Sequence, residues 1–171
     1  LGHARAYVAF DIIRRFFAHM GYTVTYIQNF TDIDDKIIYR AHKLGCSPTS
    51  LTEQYIDHYF SDMRALNIQD ATQYPKATDY ISDMISLINT LIEKKHAYVT
   101  AHGDVYFSVS SDPHYGSLSK KPLDEPQYSS RHIIGEHKKN ALDFVLWKSS
   151  KSGEPSWDSP WGAGRPGWHT E

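Results

Sequence analysis

Three places in this chain hold residue types suited to binding phosphate, a metal ion or a small ligand. The first is Gly2-His3, directly ahead of a helical pattern. A helix N-terminus offers free backbone amides and a positive dipole, glycine lets a phosphate come close, and a histidine there can donate to a phosphoryl oxygen as charge develops. An incidental histidine in a loop is the competing reading, and these residues alone favour it. The second is the cluster Asn29, Thr31, Asp32, Asp34, Asp35 and Lys36. At the carboxyl end of a strand it would sit where open α/β sheets bind ligands, able to hold a substrate amine, a ribose or magnesium. Against this, Asp32 with Asp35 three residues later resembles a capping box, which predicts that at least one carboxylate caps a helix. Lys36 reads as a solvated partner of those acids.

The third place is residues 147–171, with Trp147, Trp157, Trp161 and Trp168 among four glycines and three prolines. Glycine and proline alone suggest a linker, but four tryptophans are costly to leave in water and predict an ordered loop. Two or three of them would pin that loop to the body. A flat ring such as Trp168, beside His169, could close over a small ligand, and composition does not say which ring does so.

Other chemistries lack support. The histidines, among them His96, His102, His114, His132 and His137, form no zinc-like spacing with a cysteine and read as surface residues. Cys46 is the sole cysteine, so no internal disulfide can form. No phosphate-loop, nucleophile-elbow or Cys-x-x-Cys pattern is present.

The elements that must position these residues are legible from periodicity. Val8, Ile12, Phe16, Met20 and Ala9, Ile13, Phe17 form two adjacent rows and predict a helix over 4–20 closed by Gly21. The β-branched and aromatic residues 22–28 predict a buried strand. A helix from about 36 to 41 stops at Gly45. Helices over 51–66, with a stripe of Tyr55, Tyr59, Phe60, Met63 and Leu66, and over 78–95 follow. Residues 97–100 and 104–109 predict a hairpin around Ala101-His102-Gly103, and 143–147 a strand. Between them, residues from about 110 to 140 are polar, hold Pro113, Pro122 and Pro126, and predict an inserted lobe.

The 171 residues, 40% apolar and 13% aromatic, suffice for one core with a small appended lobe. The net charge of −2 and pI near 6.6 give no bulk electrostatic trap for nucleic acid. No apolar run is long enough for a membrane span or signal peptide, so the expectation is a cytoplasmic protein with no membrane partner. A start without methionine, and an end directly after the Gly/Trp segment, suggest a piece of a longer polypeptide.

Gly2-His3-Ala4-Arg5 and its helix resemble the second half of the His-Ile-Gly-His element of class I aminoacyl-tRNA synthetases, with Leu1 at the Ile position. Thr31-Asp-Ile-Asp-Asp-Lys-Ile-Ile38 resembles a segment characteristic of the cysteinyl-tRNA synthetases. Asp143-Phe-Val-Leu-Trp-Lys148, Gly153-Glu-Pro-Ser-Trp157 and Ser159-Pro-Trp-Gly-Ala-Gly-Arg-Pro-Gly-Trp-His169 extend the likeness.

The resemblance implies an α/β fold, part of a Rossmann-like nucleotide-binding catalytic domain with an inserted connective lobe. It divides the chain into residues 1–96, the partial catalytic domain with its following helices; 97–142, the inserted lobe; and 143–171, the return carrying an active-site loop. It implies ATP, with Mg2+, activating cysteine as cysteinyl-adenylate, followed by transfer to tRNA(Cys). Gly2 and His3 match the ATP-phosphate positions, His3 as the catalytic one, and Thr31 and Trp168 match the cysteine pocket. Asn29, Asp32, Asp34, Asp35 and His169 fall near that site. The family's Zn2+, which binds the substrate thiolate, has its expected ligands outside residues 1–171, and Cys46 matches none of them. The loop that closes on ATP and the anticodon-binding helices are also expected elsewhere, so the piece alone should be inactive. Two alternatives share the fold: a ligase joining cysteine to an amino sugar in mycothiol synthesis, and a non-catalytic nucleotide-binding module. Lys36-Ile37-Ile38 and Phe144-Val145 look more like the synthetase.

Overall fold

The computed structural model describes residues 2–120 and 138–170. Leu1, Pro122, Pro126, His132, His137 and Glu171 lie outside them, as does the middle of the expected inserted lobe. The chain forms two compact units, Leu1–Asp79 and Tyr80–Glu171.

In the first unit α1 spans Gly2–His19, α2 Asp35–Leu44 and α3 Pro48–Ala65. Gly21, at φ +87°, ends α1 in a backbone conformation that side chains disfavour. Gly45 ends α2 in the left-handed conformation, its N–H bonding back to Ala41 and His42 carbonyls. Ser47 caps α3 through Ser50 N, and Pro48 fills the first turn, where no N–H is needed.

α1 packs the other way round from its pattern. Ile12, Phe16, Met20, Ile13 and Phe17 are all exposed, while Asp11 is buried. Its polar side docks instead. Asp11 accepts from Arg14 Nε (3.0 Å), Arg15 Nε (2.6 Å) and the Gln69 backbone N–H (3.2 Å). Arg14 and Arg15 reach on to the carbonyls of Asp70 and Asn67.

The strand expected over 22–28 is not built. That stretch runs extended, and residues 26–30 lie parallel to 72–77 with only two single bridges, Ile27–Gln73 and Phe30–Lys76. Pro75 in the facing stretch has no N–H to give, and the Thr72 hydroxyl accepts from Tyr26 N where a backbone carbonyl would serve in a ladder. Around this junction Phe30 stacks on Tyr74 at 5.3 Å, and Tyr59 and Phe60 of α3 pack edge-on against it. Tyr7 of α1 meets Tyr59. The stripe expected on α3 is therefore split, with Tyr59 and Phe60 joining this aromatic cluster and Tyr55 and Leu66 left exposed.

A 3-10 turn, Ala77–Tyr80, leads into α4, Ile81–Glu93, which lies in the second unit. Ile81 and Ile88 of α4 face an antiparallel sheet in the order β1 (Ala97–Val99), β2 (Val105–Phe107), β3 (Phe144–Ser149), β4 (Gly164–Pro166). The expected hairpin forms, with Val99 opposite Val105 and Gly103 at φ +86° in its turn. Ile88, Val105 and Trp147 are fully buried at the core, and each aliphatic side chain removed from water there contributes roughly 1.5–3 kcal/mol.

Candidate functional site

At the start of α1, Gly2 and His3 are exposed. A Cβ on Gly2 would meet nothing within 4 Å, and the first turn carries no acidic residue. The positive end of the helix dipole is thus left without a carboxylate of its own, which suits an incoming anion. The Asp11 clamp fixes where this end lies by tying the middle of the helix to residues 67–70. Burial alone would raise the Asp11 carboxyl, but the bonds from Arg15 and Gln69 and the two guanidinium charges outweigh it and hold it below the usual carboxylate range.

The carboxylates of 31–36 divide their tasks differently from the capping-box expectation. Asp34, not Asp32, caps α2, its Oδ1 accepting from Lys36 N at 2.8 Å. Asp32 turns instead to a residue far ahead in the chain. Its two oxygens accept from the backbone N–H (3.0 Å) and hydroxyl (2.6 Å) of Thr78. A partner 46 residues away outcompetes the local cap because it supplies two donors to one carboxylate. Asp35, in the first turn of α2, and Asn29 are exposed, and Thr31 is half-buried between Phe30 and Asp32.

In the second unit the Gly/Trp segment is ordered. Trp157 pairs with Gly164 through two backbone bonds, and Trp161 packs edge-on against Trp147 at 6.0 Å. Both are partly buried against the core, so three of the four tryptophans pin the segment. Trp168 does not: it is 66% exposed, in a 3-10 turn, Trp168–Thr170. Its backbone is tied to β3. The Gly167 N–H and the Thr170 hydroxyl both donate to the Leu146 carbonyl, at 2.8 and 2.7 Å. The His169 ring lies 5.3 Å from that of Trp168 and edge-on to Phe144 at 5.1 Å. A Cβ on Gly167 would fall 2.1 Å from the Val145 carbonyl oxygen, so only glycine lets the backbone lie this close to β3. Below, buried Arg165 pairs with Glu154, whose carboxyl burial alone would raise and whose bonds from Lys151 N and Arg165 lower.

Among the described residues no group of three or more His, Cys, Asp or Glu stands close enough to hold a metal ion. The described residues therefore offer no fit for zinc. Cys46 is exposed, His102 and His114 are exposed, and His96 is half-buried with Nδ1 2.8 Å from Ser111 Oγ.

Some residues that hold these places were not singled out from the sequence. Asp11 with Arg14 and Arg15 has the spacing of helical ion pairs, a readable signal. Asp143 has none. It is fully buried and accepts from Tyr98 Oη, Val109 N and Asn140 N. Burial and that carboxylate together push the Tyr98 hydroxyl up to about 12.

Within the first unit Gly2 and His3 stand in the first turn of α1, and within the second Trp168 stands exposed on its 3-10 turn. Over residues 1–171 the sequence matches the family described as tRNA synthetases class I (C) catalytic domain, and the chain belongs to that family. It is similar to the cysteine–tRNA ligase of Heliobacterium modesticaldum, 51% identical over 171 residues, covering 100% of this chain and 35% of that protein. The cysteine–tRNA ligases of Maridesulfovibrio salexigens and Pyrococcus furiosus are each 53% identical over the same 171 residues, 100% of this chain and 35% and 36% of theirs. The chain thus spans about a third of the length of the curated relatives it matches.

Proposed function

We propose that the full-length protein is a cysteine–tRNA ligase. Cysteine's carboxylate attacks the α-phosphate of ATP, the bond to the β-phosphate breaks, and pyrophosphate leaves with its Mg2+. A hydroxyl of the terminal ribose of tRNA(Cys) then takes the cysteinyl group and AMP departs. Such a reaction needs positioning and charge stabilisation more than a protein nucleophile. Gly2 and the α1 amides receive the phosphates, and His3 donates to the charge developing on them. Thr31 and Trp168 line the cysteine pocket, with His169 supporting the Trp168 ring. The reading places the protein in the cytoplasm, where charged tRNA is consumed. Among the described residues no helix is long and apolar enough to cross a membrane.

The observation that carries this reading is the identity to the ligases. The chain is more than 50% identical to three cysteine–tRNA ligases over its whole length. Trp168, assigned to the cysteine pocket, is exposed, whereas the remaining tryptophans are tied into the core. The test is an assay of the full-length protein for cysteine-dependent pyrophosphate exchange and for acylation of tRNA. Both activities are expected, and exchange without acylation overturns the reading. His3→Ala should slow adenylate formation about a hundredfold, the scale of one lost transition-state donor, with cysteine binding little changed. Trp168→Ala should chiefly raise the KM for cysteine. The opposite pattern counts against both assignments.

A further inference from the structure

We infer that Thr78 is a positioning residue for the cysteine pocket, acting through Asp32 to fix Thr31. The inference rests on the reading above that Thr31 lines that pocket.

Thr31 is held from both sides by one short stretch of chain, residues 75–78. On its N-terminal side, Phe30 N donates to the Pro75 carbonyl at 2.8 Å, and the Phe30 carbonyl accepts from Ala77 N at 3.1 Å. On its C-terminal side, Asp32 takes both donors of Thr78. Beyond Asp32, Ile33 is buried and Asp34 is committed to capping α2. Thr31 is therefore the middle residue of a three-residue span whose two neighbours are bonded to the same support. No regular strand performs this task, since the pairing of 26–30 with 72–77 stops at two single bridges. The Thr78 hydroxyl is the donor that a strand register would not have provided. Because its acceptor is a carboxylate, the bond is of the stronger, charge-assisted kind.

A threonine that serves only the stability of the fold would, when changed, affect all substrates alike. A threonine that sets Thr31 should affect cysteine selectively. The experiment uses the full-length ligase with Thr78→Val, which keeps the shape and removes the hydroxyl, and Thr78→Ser, which keeps it. KM for cysteine, KM for ATP and kcat are read in pyrophosphate exchange, beside the melting temperature, with Thr31→Ala in parallel. Thr78→Val is expected to raise the cysteine KM about tenfold, as loss of one bond to a charged group would, with ATP KM unchanged and Thr78→Ser near the parent. A cysteine KM within twofold of the parent for Thr78→Val, while Thr31→Ala raises it, overturns the inference and leaves the pocket reading standing. Parallel losses for cysteine and ATP also overturn it. If Thr31→Ala itself leaves the cysteine KM unchanged, the pocket reading has failed, and the inference with it. Should Thr78→Val not fold, Asp32→Asn is scored on the same readouts.

Discussion

Exposed Trp168 and half-buried Thr31 are both proposed to serve cysteine, and the chain holds their two segments by different physics. The turn under Trp168 is held by packing, with β4 and Gly167 lying against β3 so closely that a methyl group has no room. The loop under Thr31 is held by hydrogen bonds to a neighbouring stretch, with isolated bridges in place of a regular sheet. A support made of contact resists motion but tolerates no added volume. A support made of directed bonds tolerates volume and fails when a donor or acceptor is lost.

The largest effect that would sharpen this contrast is steric. Gly167→Ala forces the new Cβ against the Val145 carbonyl, and both sides are backbone, so neither can swing away. A loss of about 3 kcal/mol is expected, measured by urea denaturation. A loss under 1 kcal/mol would mean the turn yields, and the contrast would be broken.

Asp11→Asn tests the first unit. It keeps the volume and weakens the clamp to Arg14, Arg15 and Gln69, at an expected cost of about 2 kcal/mol. The sign of its pH dependence follows from the lowered native carboxyl. The clamp's stabilisation is fully present above the ordinary aspartate range and is lost as pH falls through the depressed native value. Denaturation of parent and variant should therefore differ most near neutrality and converge in acid. A gap that widens in acid would refute the assignment.

The smallest effect belongs to the local cap. Asp34→Ala removes the side-chain cap at the start of α2 and should cost about 1 kcal/mol. Asp32→Ala should cost more in the same assay, because it strands both Thr78 donors. Equal losses would contradict the division of labour between the two carboxylates.

Local pattern carried most of the fold. The helices follow from spacing and from Gly21 and Gly45, the hairpin from its turn around Gly103, and β3 from its apolar run, all interactions within a few residues. What pattern missed depends on distant partners. The 22–28 strand has suitable composition, but the stretch opposite contains Pro75 and Thr72 and cannot complete a ladder. The choice of Asp34 over Asp32 as cap is decided by Thr78, far along the chain. The apolar rows of α1 were legible as a helix, yet not that its Asp11 side would be the docked one. At the candidate site, Trp168 was singled out by resemblance rather than composition, and the braces beneath it, Gly167 and Thr170, make sense only once β3 lies alongside.

The unequal environments of the four indoles also give this chain a built-in optical reporter. Trp147 is sealed in the core and Trp157 and Trp161 are partly shielded, whereas Trp168 stands 66% open. Emission from Trp168 should lie furthest to the red and yield first to a soluble quencher such as acrylamide. In the full-length protein, a ligand seated against that ring would register as protection of a single, identifiable component of the fluorescence.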